Sequence, residues 1–319
     1  MNAAPALPDI RGAAARIRGR VRRTPLLDPA PVKRPPWPGP AGAHLRLKLE
    51  CLQVTGSFKA RGAVNKLASL DPAELTRGVV TASGGNHGLA VAYAARSMGV
   101  PALIYLPRST PPAKADKLRA WGAEPVIAGE VWDDANTAAL AAARERDMAY
   151  VHPFADPAVI AGQGTLGLEI LEQVPEADTL IVAIGGGGLI AGVAAAAKAL
   201  KPGIRIVGVE PIGAPTLFES LRAGRLVTLD RIETAAGTLA PRRSMPINLD
   251  MIRQHVDRIL LVSDEEMRDA ARWLWFEAAV AAELSGAAAL AALMTGRYAP
   301  REGETVVPII CGAGTDGII

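Results

Sequence analysis

The stretch from residue 179 to 200, TLIVAIGGGGLIAGVAAAAKAL, constrains the fold more than any other part of the chain. An apolar run rich in β-branched residues leads into four consecutive glycines, Gly185, Gly186, Gly187 and Gly188, and then into an alanine-rich helix pattern. A strand without polar alternation is buried on both faces, as in a parallel sheet covered by helices. Four glycines in a row cost backbone entropy on folding. The arrangement points to a loop whose N–H groups cradle a phosphate at a helix N-terminus.

The same alternation recurs along the chain. Strands are predicted at 45–50, 78–82, 102–106, 125–127, 179–184, 204–210 and 305–310. Helices are predicted at 57–70, 88–98, up to 121, 133–146, 161–173, 188–200, 264–284 and 287–294. Repeated β-α-β units imply an α/β fold with parallel sheets between helices. The abundance of alanine and scarcity of aromatics argue against an all-β fold. The proline-rich segment 29–40 can carry neither a helix nor a central strand and reads as a surface loop.

At 319 residues the chain is long enough for about two domains, and no linker divides it cleanly. A net charge of only +3, with basic residues scattered among acids, gives no footprint for nucleic acid. The N-terminus lacks the apolar block of a signal peptide. The longest apolar stretch, 278–293, is interrupted by Glu283, Ser285 and Gly286, short of the roughly 20 residues a membrane span needs. Cys51 and Cys311 have no metal or redox spacing, which fits a reducing cytoplasm.

Two further motifs carry chemistry. In GSFKARGA, Lys59 follows Ser57 and Phe58 at the start of an apolar helix. A lysine drawn into a dry pocket has a lowered pKa and can form a Schiff base; the alternative is a solvated lysine on an amphipathic helix. In TASGGNHG, residues 81–88, small residues between a strand and a helix admit an anion such as an amino acid's carboxylate. The alternative there is a plain turn with His87 as a cap. Cys311 follows the last apolar strand; a thiol with a reference pKa of about 8.5 stays neutral. It could bond a pyridine nitrogen or be an ordinary core cysteine. The glycine loop also has a rival reading. Gly186, Gly188 and Ala191 form G-x-G-x-x-A after a strand, and Glu210 stands about 20 residues on, as in a dinucleotide fingerprint. That reading makes the chain an NAD(P)-binding oxidoreductase but leaves Lys59 and residues 81–88 unexplained.

Taken together and in this order, the motifs resemble the serine/threonine dehydratase family of fold-type II pyridoxal 5'-phosphate (PLP) enzymes, which also contains serine racemase. The likeness runs from Thr24 to about Gly317 and includes LKLECLQVTGSFKARGA and HPFADPAVIAGQGTLGLEI. It implies two parallel-sheet α/β domains, a smaller one at 70–150 inserted in a larger one made of 1–69 and 151–319. Lys59 would carry PLP and act as the base at Cα. Phe58 and Gly237 would flank the cofactor ring, and Asn86 would bond its phenolic oxygen. Gly185, Gly186, Gly187, Gly188 and Leu189 would hold the phosphate, and Cys311 would meet the pyridine nitrogen. Ser83, Gly85, Asn86 and His87 would hold the substrate carboxylate. The expected reaction is dehydration and deamination of L-threonine or L-serine. Alternatives are a hydroxyaspartate ammonia-lyase, an amino-acid racemase, and a ligand-binding protein without turnover. The resemblance also implies a homodimer.

Three departures from the family pattern matter. Gly84 stands where racemases carry a second serine. Cation-binding relatives use a Glu, a backbone carbonyl and an Asp; Glu210 and Ala214 match, but Thr216 replaces the Asp, so no metal is expected. With the sequence ending at Ile319, allosteric feedback through a regulatory domain of the biosynthetic threonine deaminase kind is not expected. For a second substrate carboxylate, Arg242 and Arg243 are the candidates.

Overall fold

A computed structural model of the protein describes residues 3–318 apart from 38 and 41. The first half runs α1 (Leu7–Ile17), β1 (Leu26–Leu27), β2 (His44–Leu45), β3 (Leu47–Lys48), α2 (Lys59–Ala68), α3 (Pro72–Thr76), β4 (Val79–Ala82), α4 (Asn86–Met98), β5 (Ala102–Leu106), α5 (Pro112–Ala120), β6 (Glu124–Ile127), α6 (Trp132–Glu145) and β7 (Ala149–Tyr150). The second runs α7 (Pro157–Gln173), β8 (Thr179–Ala183), α8 (Gly188–Leu200), β9 (Arg205–Pro211), α9 (Thr216–Ala223), α10 (Pro246–His255), β10 (Arg258–Val262), α11 (Asp264–Ala278), α12 (Leu284–Met294) and β11 (Thr305–Pro308).

Two parallel sheets result. One has the order β10-β9-β8-β11-β2, the other β6-β5-β4-β7. Strands β4, β5, β8 and β11 are buried along their whole length, as their unbroken apolar character requires. A separate apolar core accompanies each sheet. The strands β4 and β8 each end in a glycine turn that opens a helix, and both turns belong to the site described below.

Glycines set how closely the helices stack. A Cβ on Gly192 of α8 would lie 2.3 Å from the Ile160 carbonyl of α7, and one on Gly162 of α7 would lie 2.6 Å from Cα of Gly62 in α2. Helices α2, α7 and α8 thus touch backbone to backbone, and the site inherits a stiff floor.

The alternation of strands and helices is as the sequence implies, with shifted ends (α7 begins at Pro157 rather than 161, and β11 ends at Pro308) and some larger differences. The expected helix 264–284 ends at Ala278, because Ala279 takes a left-handed conformation (φ 53°) and residues 279–283 turn before α12 begins at Leu284. The expected strand 45–50 splits into β2 and β3, and a 3₁₀ turn, Glu50–Leu52, follows. Helix α4 starts two residues earlier than the glycine at 88. Helices α1, α3, α9 and α10 and strands β1, β7 and β10 were not foreseen. Segment 29–40 carries neither helix nor strand among its described residues; Pro38 lies outside them. Among the described residues no helix is long and apolar enough to cross a membrane.

Candidate active site

Lys59 is the first residue of α2, and its amine donates a 2.7 Å hydrogen bond to the Pro153 carbonyl. The segment before it is tied to the end of β11. The Phe58 amide donates to the Cys311 carbonyl at 3.2 Å, and Ser57 bridges Gly312. The Phe58 ring centroid lies 5.2 Å from Nζ. Burial draws the Lys59 amine down to about 8, and only the Cys311 and Glu283 groups oppose that shift. The solvated-lysine alternative does not hold.

The turn 83–85 follows β4, so Asn86 and His87 occupy the first turn of α4 rather than the loop. Nε2 of His87 faces the Val151 carbonyl at 3.0 Å and so carries the hydrogen, while its buried Nδ1 has no partner. Burial, reinforced by the Lys59 charge, pulls this imidazole down to about 3, so it is neutral. The Asn86 amide donates to Oε1 of Glu283 at 2.8 Å. A Cβ on Gly88 would fall 2.0 Å from the Ser83 carbonyl, which is why the turn needs glycine there. A Cβ on Gly84 would face Thr110 and Leu106.

The tetraglycine loop is boxed in by two other segments. A Cβ on Gly186 would lie 2.3 Å from the Phe154 ring, one on Gly188 2.5 Å from the Phe154 carbonyl, and one on Gly185 2.8 Å from the Thr238 carbonyl. Gly187 has φ 94°. The Gly186 carbonyl accepts bonds from Asn248 (2.6 Å) and Ser244 (2.9 Å), which orient the loop. The first N–H groups of α8, including that of buried Leu189, have no acceptor within the helix and are free for an anion.

Cys311 is buried, and burial pushes its thiol well above the ordinary range, so it is neutral; Sγ lies 3.6 Å from the Ser285 carbonyl. Gly237 opens a 3₁₀ turn, Gly237–Leu239, and Thr238 Oγ1 donates to Glu283 Oε1 at 3.2 Å. Glu283 therefore joins the α4 and 237–239 segments. Burial raises its carboxyl to about 7, with nearby Asp316 adding to the shift.

A scan of family models matches residues 17–312 to the pyridoxal-phosphate dependent enzyme family. The chain belongs to that family. Its fold is that of fold-type II PLP enzymes of the serine/threonine dehydratase and serine racemase group. An L-threonine ammonia-lyase of Thermotoga maritima is 39% identical over 97% of this chain and 76% of its own length. A phenylserine dehydratase of Ralstonia pickettii is 39% identical over 98% of this chain and 94% of its own. The structure of maize serine racemase superposes with a TM-score of 0.90 at 36% identity, covering 98% of this chain and 94% of that one.

The residues fit the family's cofactor. The Lys59 amine is drawn toward its neutral, nucleophilic form. The unpartnered Ser57 hydroxyl and His87 Nδ1 are buried polar atoms, and the N-terminus of α8 supplies anion-binding amides.

Membership of this PLP family displaces the dinucleotide reading, and the fold agrees. Both Glu210 oxygens accept backbone N–H groups of α9, from Leu217 (2.9 Å) and Phe218 (2.8 Å), so Glu210 caps a helix instead of reaching a ribose. The Ala214 carbonyl accepts the Thr216 amide, and the Thr216 hydroxyl donates to the Pro241 carbonyl at 2.6 Å. Among the described residues no three His, Cys, Asp or Glu side chains cluster as metal ligands. Arg242 and Arg243 are exposed and donate to Leu229, Asp230 and Thr228 of the 228–230 loop. Sequence reasoning missed Glu283, Thr238, Pro153, Phe154 and Asn248. Only the HPFADP stretch carried a signal, through the family likeness.

Proposed function

We propose that this PLP enzyme removes the hydroxyl of a β-hydroxy amino acid, L-threonine or L-serine, and yields a 2-keto acid and ammonia. The observation that carries the reading is Lys59. It is half-buried, with its amine shifted toward the neutral form and held between the Phe58 ring and the Pro153 carbonyl, beside a neutral thiol. The threonine ammonia-lyase and phenylserine dehydratase relatives support it.

When bound, PLP supplies the electron sink for the Cα carbon of an attached amino acid. The chain's own groups do the rest. Lys59 would hold the cofactor and take the Cα proton on Nζ, a task suited to an amine near 8. Phe58 and Gly237 would flank the ring. Asn86 has one amide hydrogen on Glu283, which leaves the other for the phenolic oxygen. Gly185, Gly186, Gly187, Gly188 and Leu189 hold the phosphate through backbone amides. Ser83, Gly85, Asn86 and His87 form the turn and helix start that take the substrate carboxylate. Neutral Cys311 would meet the pyridine nitrogen without adding charge, which would keep the ring a moderate electron sink suited to loss of the β-hydroxyl. In this reading residues 70–150, with the four-stranded sheet, form a domain inserted in the rest.

Racemisation has less support, because Gly84 offers no proton on the face opposite Lys59. The test is keto-acid release from L-serine, L-threonine and the hydroxyaspartate isomers, with D-serine followed in parallel in deuterated water. Keto acid from L-threonine or L-serine, well ahead of any D-serine, is expected. Release confined to hydroxyaspartate, or D-serine forming as fast as pyruvate, would defeat the proposal.

A further inference from the structure

Four charged side chains are buried together beside α2: Lys48, Glu50, Arg61 and Glu169. Arg61 grips Glu50 with two bonds, Nε to Oε2 at 2.8 Å and a terminal nitrogen to Oε1 at 2.7 Å, and reaches Glu169 at 2.9 Å. Lys48 donates to Glu169 (2.6 Å), to the Thr24 carbonyl (2.8 Å) and to Gln173 (2.7 Å). Two cations face two carboxylates, so the group is neutral as a whole.

Such a cluster is a poor choice for stability alone. Burying charges is costly, and apolar side chains of similar volume commonly do as well or better. Its location offers another purpose. Residues 59 and 61 are two apart on a helix, about 200° around its axis. Lys59 therefore faces the site while Arg61 faces the cluster, within one turn. Glu169 lies on α7, whose start follows the short turn that carries Pro153. Gly62 of α2 packs against the same helix, where an added Cβ would meet the Val159 carbonyl at 2.8 Å. The cluster thus clamps both partners of the bond from Lys59 to Pro153, the donor through α2 and the acceptor through α7. None of its members is among the groups that shift the Lys59 amine, so its influence there is geometric.

We propose that Arg61, with Glu50, Glu169 and Lys48, is a positioning network that sets the rotation of α2 and so aims Lys59 at the cofactor. The proposal rests on Lys59 as the attachment point, and borohydride trapping of PLP on Lys59 in the wild-type protein checks that first. Failure of wild-type trapping would count against the function proposed above, separately from the network.

Two variants test the network. Arg61→Lys keeps the charge and loses the two-pronged grip. The double variant Glu50→Met/Arg61→Met removes one charge of each sign and leaves Lys48 paired with Glu169. Melting temperature without cofactor, the rate of forming the trappable link, and kcat and KM are read for each. Misaiming a reactive group by about 1 Å costs on the order of 10²-fold in rate. We expect at least a variant that folds with near-normal melting, forms the link about tenfold or more slowly, and loses kcat by a similar factor while KM changes less than about twofold. Wild-type link formation and kcat in every variant that folds would overturn the proposal, and so would failure of both variants to fold, which would make the network purely structural.

Discussion

Replacing Gly237 by alanine adds one methyl group at a point where the protein itself has room. A Cβ built there has no heavy atom within 4 Å. Without cofactor, Gly237→Ala should therefore be neutral, or stabilise by about 0.4–1 kcal/mol through lost freedom of the unfolded chain. If the open space is where the cofactor ring lies, the methyl overpacks the bound state by about 1–3 kcal/mol, or roughly 5- to 150-fold in PLP affinity. Gly188→Ala gives the contrasting case, because its Cβ would lie 2.5 Å from the Phe154 carbonyl and 3.0 Å from its Cα. Backbone atoms cannot swing aside as a side-chain tip does, so this variant should lower stability with or without PLP. The assay is thermal melting of the apoprotein together with absorbance titration by PLP. Unchanged PLP affinity in Gly237→Ala, with apoprotein melting also unchanged, would refute the placement of the ring against residue 237.

Lys59→Ala should abolish keto-acid formation, since it removes the attachment point and the base together, while phosphate contacts keep some PLP bound in an equilibrium titration. The Glu283 carboxyl sits at about 7 against an ordinary 4.5, so between those values the folded protein holds a proton that the unfolded chain releases; its contribution to stability is present at low pH and is lost as pH rises through about 7. Glu283→Gln cannot ionise, so its melting temperature should gain on the wild type from pH 5 to pH 8, and a constant gap across that range would contradict the burial argument. Cys311→Ser keeps a neutral hydrogen-bonding group and should retain most of kcat, whereas loss of activity with PLP still bound would count against Cys311 as a neutral partner of the pyridine nitrogen.

Much of the fold could be read from local pattern because its central strands are mostly apolar and its site turns are marked by glycine. The boundaries 102–106 and 188–200 coincide with β5 and α8. Reading failed where the deciding forces are not local. Residues 264–284 read as one helix, yet the chain turns at Ala279 and seats Glu283 between Asn86 and Thr238. Those partners come from positions far apart in the chain, so no spacing rule reveals the carboxylate. Glu210 shows the reverse error. Its distance from the glycines suits a ribose, but its actual neighbours are the amides at the start of α9.

Strand β11 comes last in the sequence yet lies between β8 and β2 in the larger sheet. During synthesis β8, β9 and β10 all leave the ribosome before the strand that completes them. Until then β8 presents a row of unpaired amides and carbonyls along an apolar edge, the kind of surface that pairs with another chain. Growing polypeptides stalled before residue 305 should therefore be sticky and rely on chaperones, and should be captured by added β-strand peptides that the finished protein ignores. A late central strand also delays assembly of the catalytic pocket to the last step of folding, since Cys311 follows β11 directly.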